Sequence, residues 1–154
     1  MFAAEGPTGP TGTLAASAYG GLFAATPSDM LLTGSTMNLL TNLNGQRPAD
    51  NIVYGPNAMT VERGGVYLVS YAVSYAYDET ADLRFSVSIN GGYLGGTLAE
   101  NHNEAGSGIH SVSRGALVEL TAGDVLRLSV TPVVTGGLLV LPPFGTELYL
   151  VQIA

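Results

Sequence analysis

From about residue 20 onward the chain consists of short apolar runs that stop at glycines. In Leu83-Arg84-Phe85-Ser86-Val87-Ser88-Ile89 the apolar residues alternate strictly with Arg or Ser. Leu126, Leu128 and Val130 alternate in the same way with Arg127, Ser129 and Thr131. Period-two patterns of this kind predict half-buried antiparallel strands with one wet face. The stretch from Val66 to Tyr77 is different. One face carries Tyr67, Val69, Tyr71, Val73, Tyr75 and Tyr77, and the other carries Val66, Leu68, Ser70, Ala72, Ser74 and Ala76. That second face is small and uncharged. Leu148 to Ile153 is apolar on both faces except at Gln152. A strand apolar on both sides needs cover on both sides, and with no helical period in the chain a second subunit is the expected cover.

Strands are expected at 21–26, 51–54, 58–62, 65–77, 81–90, 93–100, 109–120, 124–134 and 146–153, joined by turns at the recurrent glycines. Asn90-Gly91 predicts a tight hairpin, because both central positions of a type I′ turn take positive φ. The one weak helical segment, 29–40, is interrupted by Gly34 and by Ser and Thr.

Ahead of this β-rich region stand Gly6-Pro7-Thr8, Gly9-Pro10-Thr11 and Gly12-Thr13-Leu14. Glycine at every third position followed by proline is the pattern of a collagen triple helix, which needs three chains. The reading is a collagen-like stub and linker over 1–18 and a globular head over 19–154. Charged residues make up only 11% of the chain, against roughly 25% in ordinary soluble domains, a second pointer to surface hidden by partners.

The net charge of −7, with five arginines and no lysine, argues against nucleic-acid binding and removes lysine chemistry. There is no cysteine, so disulfides and thiolate metal sites are excluded. No apolar run is long enough for a transmembrane helix. Met1-Phe2-Ala3-Ala4 is too short for a signal-peptide core, so the chain is expected to be a fragment or to bypass ordinary secretion.

Glu100, His102 and Glu104 share a period-two face and are the nearest approach to a metal cluster. Zinc takes three or four ligands, and these residues read as a solvated loop beside Gly106 and Gly108. Asp78, Glu79 and Asp82 form an acidic turn short of the six to eight oxygens calcium takes. His110 reads as a hydrogen-bonded interface histidine. Ser107 has no base near it in sequence, and neither hydrolase motifs nor a dinucleotide fingerprint occurs. No enzyme activity and no cofactor is expected. The apolar segment 138–144 lies between two expected strands and is read as packing against a neighbouring protomer.

Four motifs in order carry a family resemblance. Met59-Thr60-Val61-Glu62-Arg63-Gly64-Gly65-Val66-Tyr67-Leu68-Val69 resembles the Gly-x-Tyr-x-Phe strand of the complement globular-head and tumour-necrosis-factor-like jelly rolls. Val87-Ser88-Ile89-Asn90-Gly91 follows, then Leu117 to Leu120 with Gly123-Asp124 and Leu126, then Phe144-Gly145 with Leu148-Tyr149-Leu150. With its Gly-Pro-Thr stub the chain most resembles the collagen-like glycoproteins of bacterial spore surfaces (exosporium), the BclA type. The resemblance implies an all-β, ten-stranded jelly-roll sandwich forming a compact homotrimer, with Thr8 and Thr11 as glycan attachment points and a place on the outer spore or cell surface. Expected trimer-interface residues are Tyr67, Tyr71, Tyr75, His110, Leu139, Leu141, Phe144, Tyr149 and Val151. The expected function is structural, a trimerisation and nucleation head for a collagen-like filament. The alternatives are a multivalent head binding a glycan or protein ligand, or a bacteriophage fibre tip.

Overall fold

The computed structural model describes residues 17–133 and 136–154. The Gly-x-y triplets, with Thr8 and Thr11, lie outside the described residues. The described residues form two stacked sheets of seven strands each, all paired antiparallel. The first sheet contains β1 (Tyr19–Phe23), β2 (Ser28–Leu31), β4 (Gly45–Gln46), β7 (Gly65–Tyr77), β11 (His110–Leu120), β13 (Leu138–Leu141) and β14 (Glu147–Gln152). The second contains β3 (Met37–Asn38), β5 (Ile52–Gly55), β6 (Ala58–Val61), β8 (Ala81–Ile89), β9 (Gly92–Tyr93), β10 (Ala99–Asn103) and β12 (Val125–Pro132). Long β7 is the spine of the first sheet. It carries β11 along one edge, and β14 and then β13 along the other.

The core lies between the sheets. Tyr67, Val69, Tyr71, Val73, Tyr75 and Tyr77 of β7 face Leu83, Phe85 and Val87 of β8 and Leu126, Leu128 and Val130 of β12, all buried. Sheet stacking leaves about 10 Å to fill, and the tyrosines fill it; Tyr75 and Phe85 have ring centroids 5.2 Å apart. A buried phenol needs a hydrogen-bond partner. Tyr71 donates to the carbonyls of Phe85 (3.1 Å) and Thr97 (2.6 Å), Tyr67 to that of Arg63 (2.7 Å), and Tyr77 to that of Gly136 (2.6 Å). Tyr75 accepts from the Asn101 amide. Burial pushes the Tyr71 hydroxyl well above the usual phenol range.

The placement of these tyrosines corrects the expected interface. Tyr67, Tyr71 and Tyr75, and likewise Leu139 and Leu141, are interior to the single chain and present no surface to a neighbour. The apolar faces of β8 and β12 need large partners, which only the tyrosine face of β7 supplies, so the small face of β7 points outward.

Most of the other expected strands are present, with four differences. Segment 29–40 supplies β2, β3 and the start of a single 3₁₀ turn, Leu39–Asn42, capped by Asn38, whose Oδ1 accepts from the Leu40 N–H at 3.0 Å. Short β4 forms in a region where no strand is expected, paired to β1. The stretch 93–100 is split by a turn held by Thr97, whose hydroxyl accepts from Val87 N–H and donates to the Leu94 carbonyl. Leu138–Leu141 is a strand paired to β2 and β7 rather than a connection. The nine strands expected from the pattern thereby become fourteen among the described residues, against the ten that the resemblance implies. Asn90 and Gly91 both have positive φ, 51° and 81°, as the hairpin requires.

Both ends of the described chain meet at the start of β7. Gln152 N–H donates to the Ala18 carbonyl at 2.8 Å, and Val66 N–H to that of Ala154 at 2.7 Å.

Candidate functional site

The outward face of the first sheet is built in cross-strand rows. Leu117 of β11 sits opposite Leu68 of β7, Leu68 opposite Val151 of β14, and Val151 opposite Tyr19 of β1. The four side chains form one apolar band across four strands. All are exposed in the single chain, Leu117 to 64%. The next row is Gly115, Ser70, Tyr149 and Gly21. A Cβ on Gly21 would lie 3.1 Å from that of Tyr149, so glycine there gives the tyrosine ring its room. The row after that is Ser113, Ala72, Glu147 and Phe23. Charge flanks the band at Glu119, opposite Val66, and at Asp50, opposite Tyr19, and enters again where Glu147 pairs with Arg47 at 3.3 Å and the Arg47 guanidinium lies 4.3 Å from the Phe23 ring centre. Ser74 and Ser111 share a hydroxyl hydrogen bond of 2.8 Å.

Of the expected interface residues, this face brings together Tyr149 and Val151. Phe144, at a loop tip and 75% exposed with φ +60°, lies off the apolar band but adjoins this face through Phe23, on which it stacks at 5.9 Å. His110 lies at the far end of the sheet from the chain termini, against Tyr75 at 5.9 Å. Its Nε2 is 2.7 Å from the Ser107 hydroxyl. Ser107 therefore does have an imidazole beside it, delivered by the turn at Gly106 and Gly108, both at positive φ. Among the described residues no carboxylate bonds the other ring nitrogen of His110, so the pair lacks the orienting third member of a catalytic triad. The band residues Leu68, Leu117 and Tyr19 were missed in the sequence. Their signal was the size of Leu68 on an otherwise small face.

The polar candidates disperse. Glu100 pairs across the ladder with Arg84, while His102 bonds Asp82 through Nδ1 (2.6 Å) and Glu104 through Nε2 (3.0 Å). The Asp82 hydrogen bond, then that of Glu104, holds the His102 imidazole above its ordinary pKa. Asp78 instead accepts the Leu138 N–H at 2.6 Å. Buried Asn103 ties down the turn after β7 through the carbonyls of Tyr77 and Glu79. Among the described residues no group of three or more side chains is arranged to hold a metal ion, and no helix is long and apolar enough to cross a membrane.

Two concavities complete the surface. One of about 480 Å³ lies at the far end of the first sheet, between Ala76, Leu138 and Val140 and the loop at Gly106 and Gly108. The other, of about 430 Å³, lies on the outward face of the second sheet.

The fold is a tumour-necrosis-factor-like jelly roll. The structure of Eiger TNF from S. frugiperda superposes with a TM-score of 0.64 at 15% identity, covering 90% of this chain and 92% of that one. Murine APRIL, in a crystal structure at pH 5.0, gives 0.66 at 17% identity, covering 89% and 99%. No family model matches the sequence, and no curated protein resembles it in sequence.

Proposed function

We propose that this chain is the trimerisation head of a collagen-like surface filament, of the kind found on bacterial spore surfaces. The observation that carries the reading is the apolar band Leu117, Leu68, Val151 and Tyr19, which runs uncharged across four strands and is flanked by Glu119 and Asp50. A face of this composition matches the dry centre of a subunit interface. The likeness to TNF-like jelly rolls supports the same use of the first sheet. On this reading the Gly-x-y triplets supply the stalk, joined to the head ahead of Ala18, which lies beside the C-terminus. Three heads packed on this face would hold three stalk chains at high effective concentration, so that triple-helix nucleation becomes nearly intramolecular. Thr8 and Thr11 are the proposed glycan acceptors, and the outer spore or cell surface the proposed location.

Light scattering of the full chain tests the reading. The expected mass is three times 15.8 kDa, and a stable monomer at micromolar concentration overturns it. Attaching about ten further Gly-x-y triplets should give a stalk that refolds faster with the head than without it, with little concentration dependence. Equal rates would remove the nucleating role.

A further inference from the structure

The outward face of the second sheet carries a different chemistry. Three serines form the floor of its concavity. Ser86 pairs with Ser129 across β8 and β12, and Ser88 lies two residues along β8, opposite Tyr93 of β9. Tyr93 and Leu98 rise on one side. Arg84 with Thr131 closes one end, where Thr131 and Thr36 share a hydroxyl hydrogen bond of 2.8 Å. The trough exists because serines replace the longer side chains that would otherwise level the sheet.

Among the described residues the hydroxyls of Ser86, Ser88, Ser129 and Tyr93 make no side-chain hydrogen bond to the protein, and each offers a donor and acceptor lone pairs to an incoming group. Ser129 is only 8% exposed, at the bottom, whereas the Tyr93 ring is 56% exposed at the rim. The Arg84 charge is balanced by its neighbour Glu100; Arg127, opposite Ser88 on the same face, is not among the residues lining the trough, and the chain's net −7 repels an anion.

We propose that this trough binds a neutral saccharide. Sugars present one C–H face, which a rigid exposed ring accommodates, and an edge of hydroxyls, which needs a row of small donors and acceptors. Tyr93 supplies the first, Ser86, Ser88 and Ser129 the second, and the free N–H groups of Arg84 bond a ring or hydroxyl oxygen. A protein partner would call for a buried aromatic or aliphatic pocket at the centre, where this trough has serines. It opens on the side opposite the apolar band, so a trimer built on that band would display three copies outward, and weak single sites would gain by multivalency.

The test is a printed array of neutral, sialylated and sulfated oligosaccharides probed with the full chain, followed by solution titration with the best-bound neutral sugar. Neutral sugars should bind, Tyr93→Ala should weaken binding about tenfold or more, and Ser88→Val should weaken it several-fold. Ser113→Val, on the other sheet, should leave it unchanged. Melting curves verify that each variant is folded, and if Tyr93→Ala is not, Ser88→Val decides. Binding of anionic glycans alone, binding of none, or affinity unchanged in the folded trough variants overturns the proposal. Light scattering on the same samples keeps the two readings separate: a monomer that still binds the sugar sinks the trimer and leaves the trough standing.

Discussion

The two outward faces of the sandwich start from the same alternating grammar and end in opposite chemistry. On the second sheet, outward positions are Arg84, Ser86, Ser88, Arg127, Ser129, Glu100 and His102, where Arg84 pairs with Glu100 and His102 with Asp82. On the first sheet, outward positions are Leu68, Ser70, Ala72, Leu117, Ser113, Tyr149 and Val151, with Glu119 at one end and, among the described residues, one charged pair, Glu147 with Arg47. One face satisfies itself in water and the other does not. The contrast separates the surface that needs a partner from the surface that can meet a small polar ligand.

Four perturbations, from largest to smallest expected effect, probe that contrast. Tyr71→Asp strikes the core both faces share, stranding a carboxylate where a phenol bridged Phe85 and Thr97. It should cost about 4 kcal/mol or more and prevent folding at ordinary temperature, read by circular dichroism. A folded Tyr71→Asp protein would mean that the tyrosine face is not the interior.

Leu68→Glu places a charge in the apolar band. If the chain assembles as proposed, it should dissociate the trimer while leaving the monomer folded, weakening association by about 3 kcal/mol or more. Analytical ultracentrifugation showing an unchanged trimer would move the interface elsewhere.

On the second sheet, pH provides a gentler probe. The folded-state pKa of His102 is raised above 6.5 by Asp82 and then Glu104. Its stabilisation is therefore fully present below the unfolded value of 6.5 and is lost as pH rises through the folded value. Melting temperature should fall slightly across that interval in the native chain, and His102→Gln should remove the step. A step that persists in the variant assigns it to another group.

Ser86→Asp, on the same wet face, should change stability by no more than about 0.5 kcal/mol in urea titration. Damage comparable to that of Leu68→Glu would erase the distinction between the faces.

Much of the fold was legible because the signals were local. Polar–apolar alternation placed β8 and β12, long runs with two packable faces placed β7 and β14, and Asn90-Gly91 marked its hairpin. Segment 28–46 was not legible. β2, β3 and β4 are only two to four residues long, too short to show a period, and form by pairing with β13, β12 and β1, partners distant in the chain. Leu138–Leu141 read as a solitary apolar run, since nothing nearby in sequence reveals that Tyr77 and Leu31 receive it. The candidate site was half visible. Tyr149 and Val151 stood out, but Leu68 and Leu117 join them only through pairing between residues far apart in the chain.

The sequence by itself determined that this protein is a β sandwich with two two-sided strands, over 66–77 and 148–153, and too little charge to dress its whole surface. Periodicity, turn residues and composition are properties of neighbours along the chain. Only the tertiary structure decided that the tyrosines of β7 look inward, that Leu117, Leu68, Val151 and Tyr19 meet in one band, that Ser107 meets His110, and that three serines lie at the bottom of a trough. A strand's pattern says that its two faces differ, but which face is buried depends on the volume offered by strands that arrive from elsewhere in the chain.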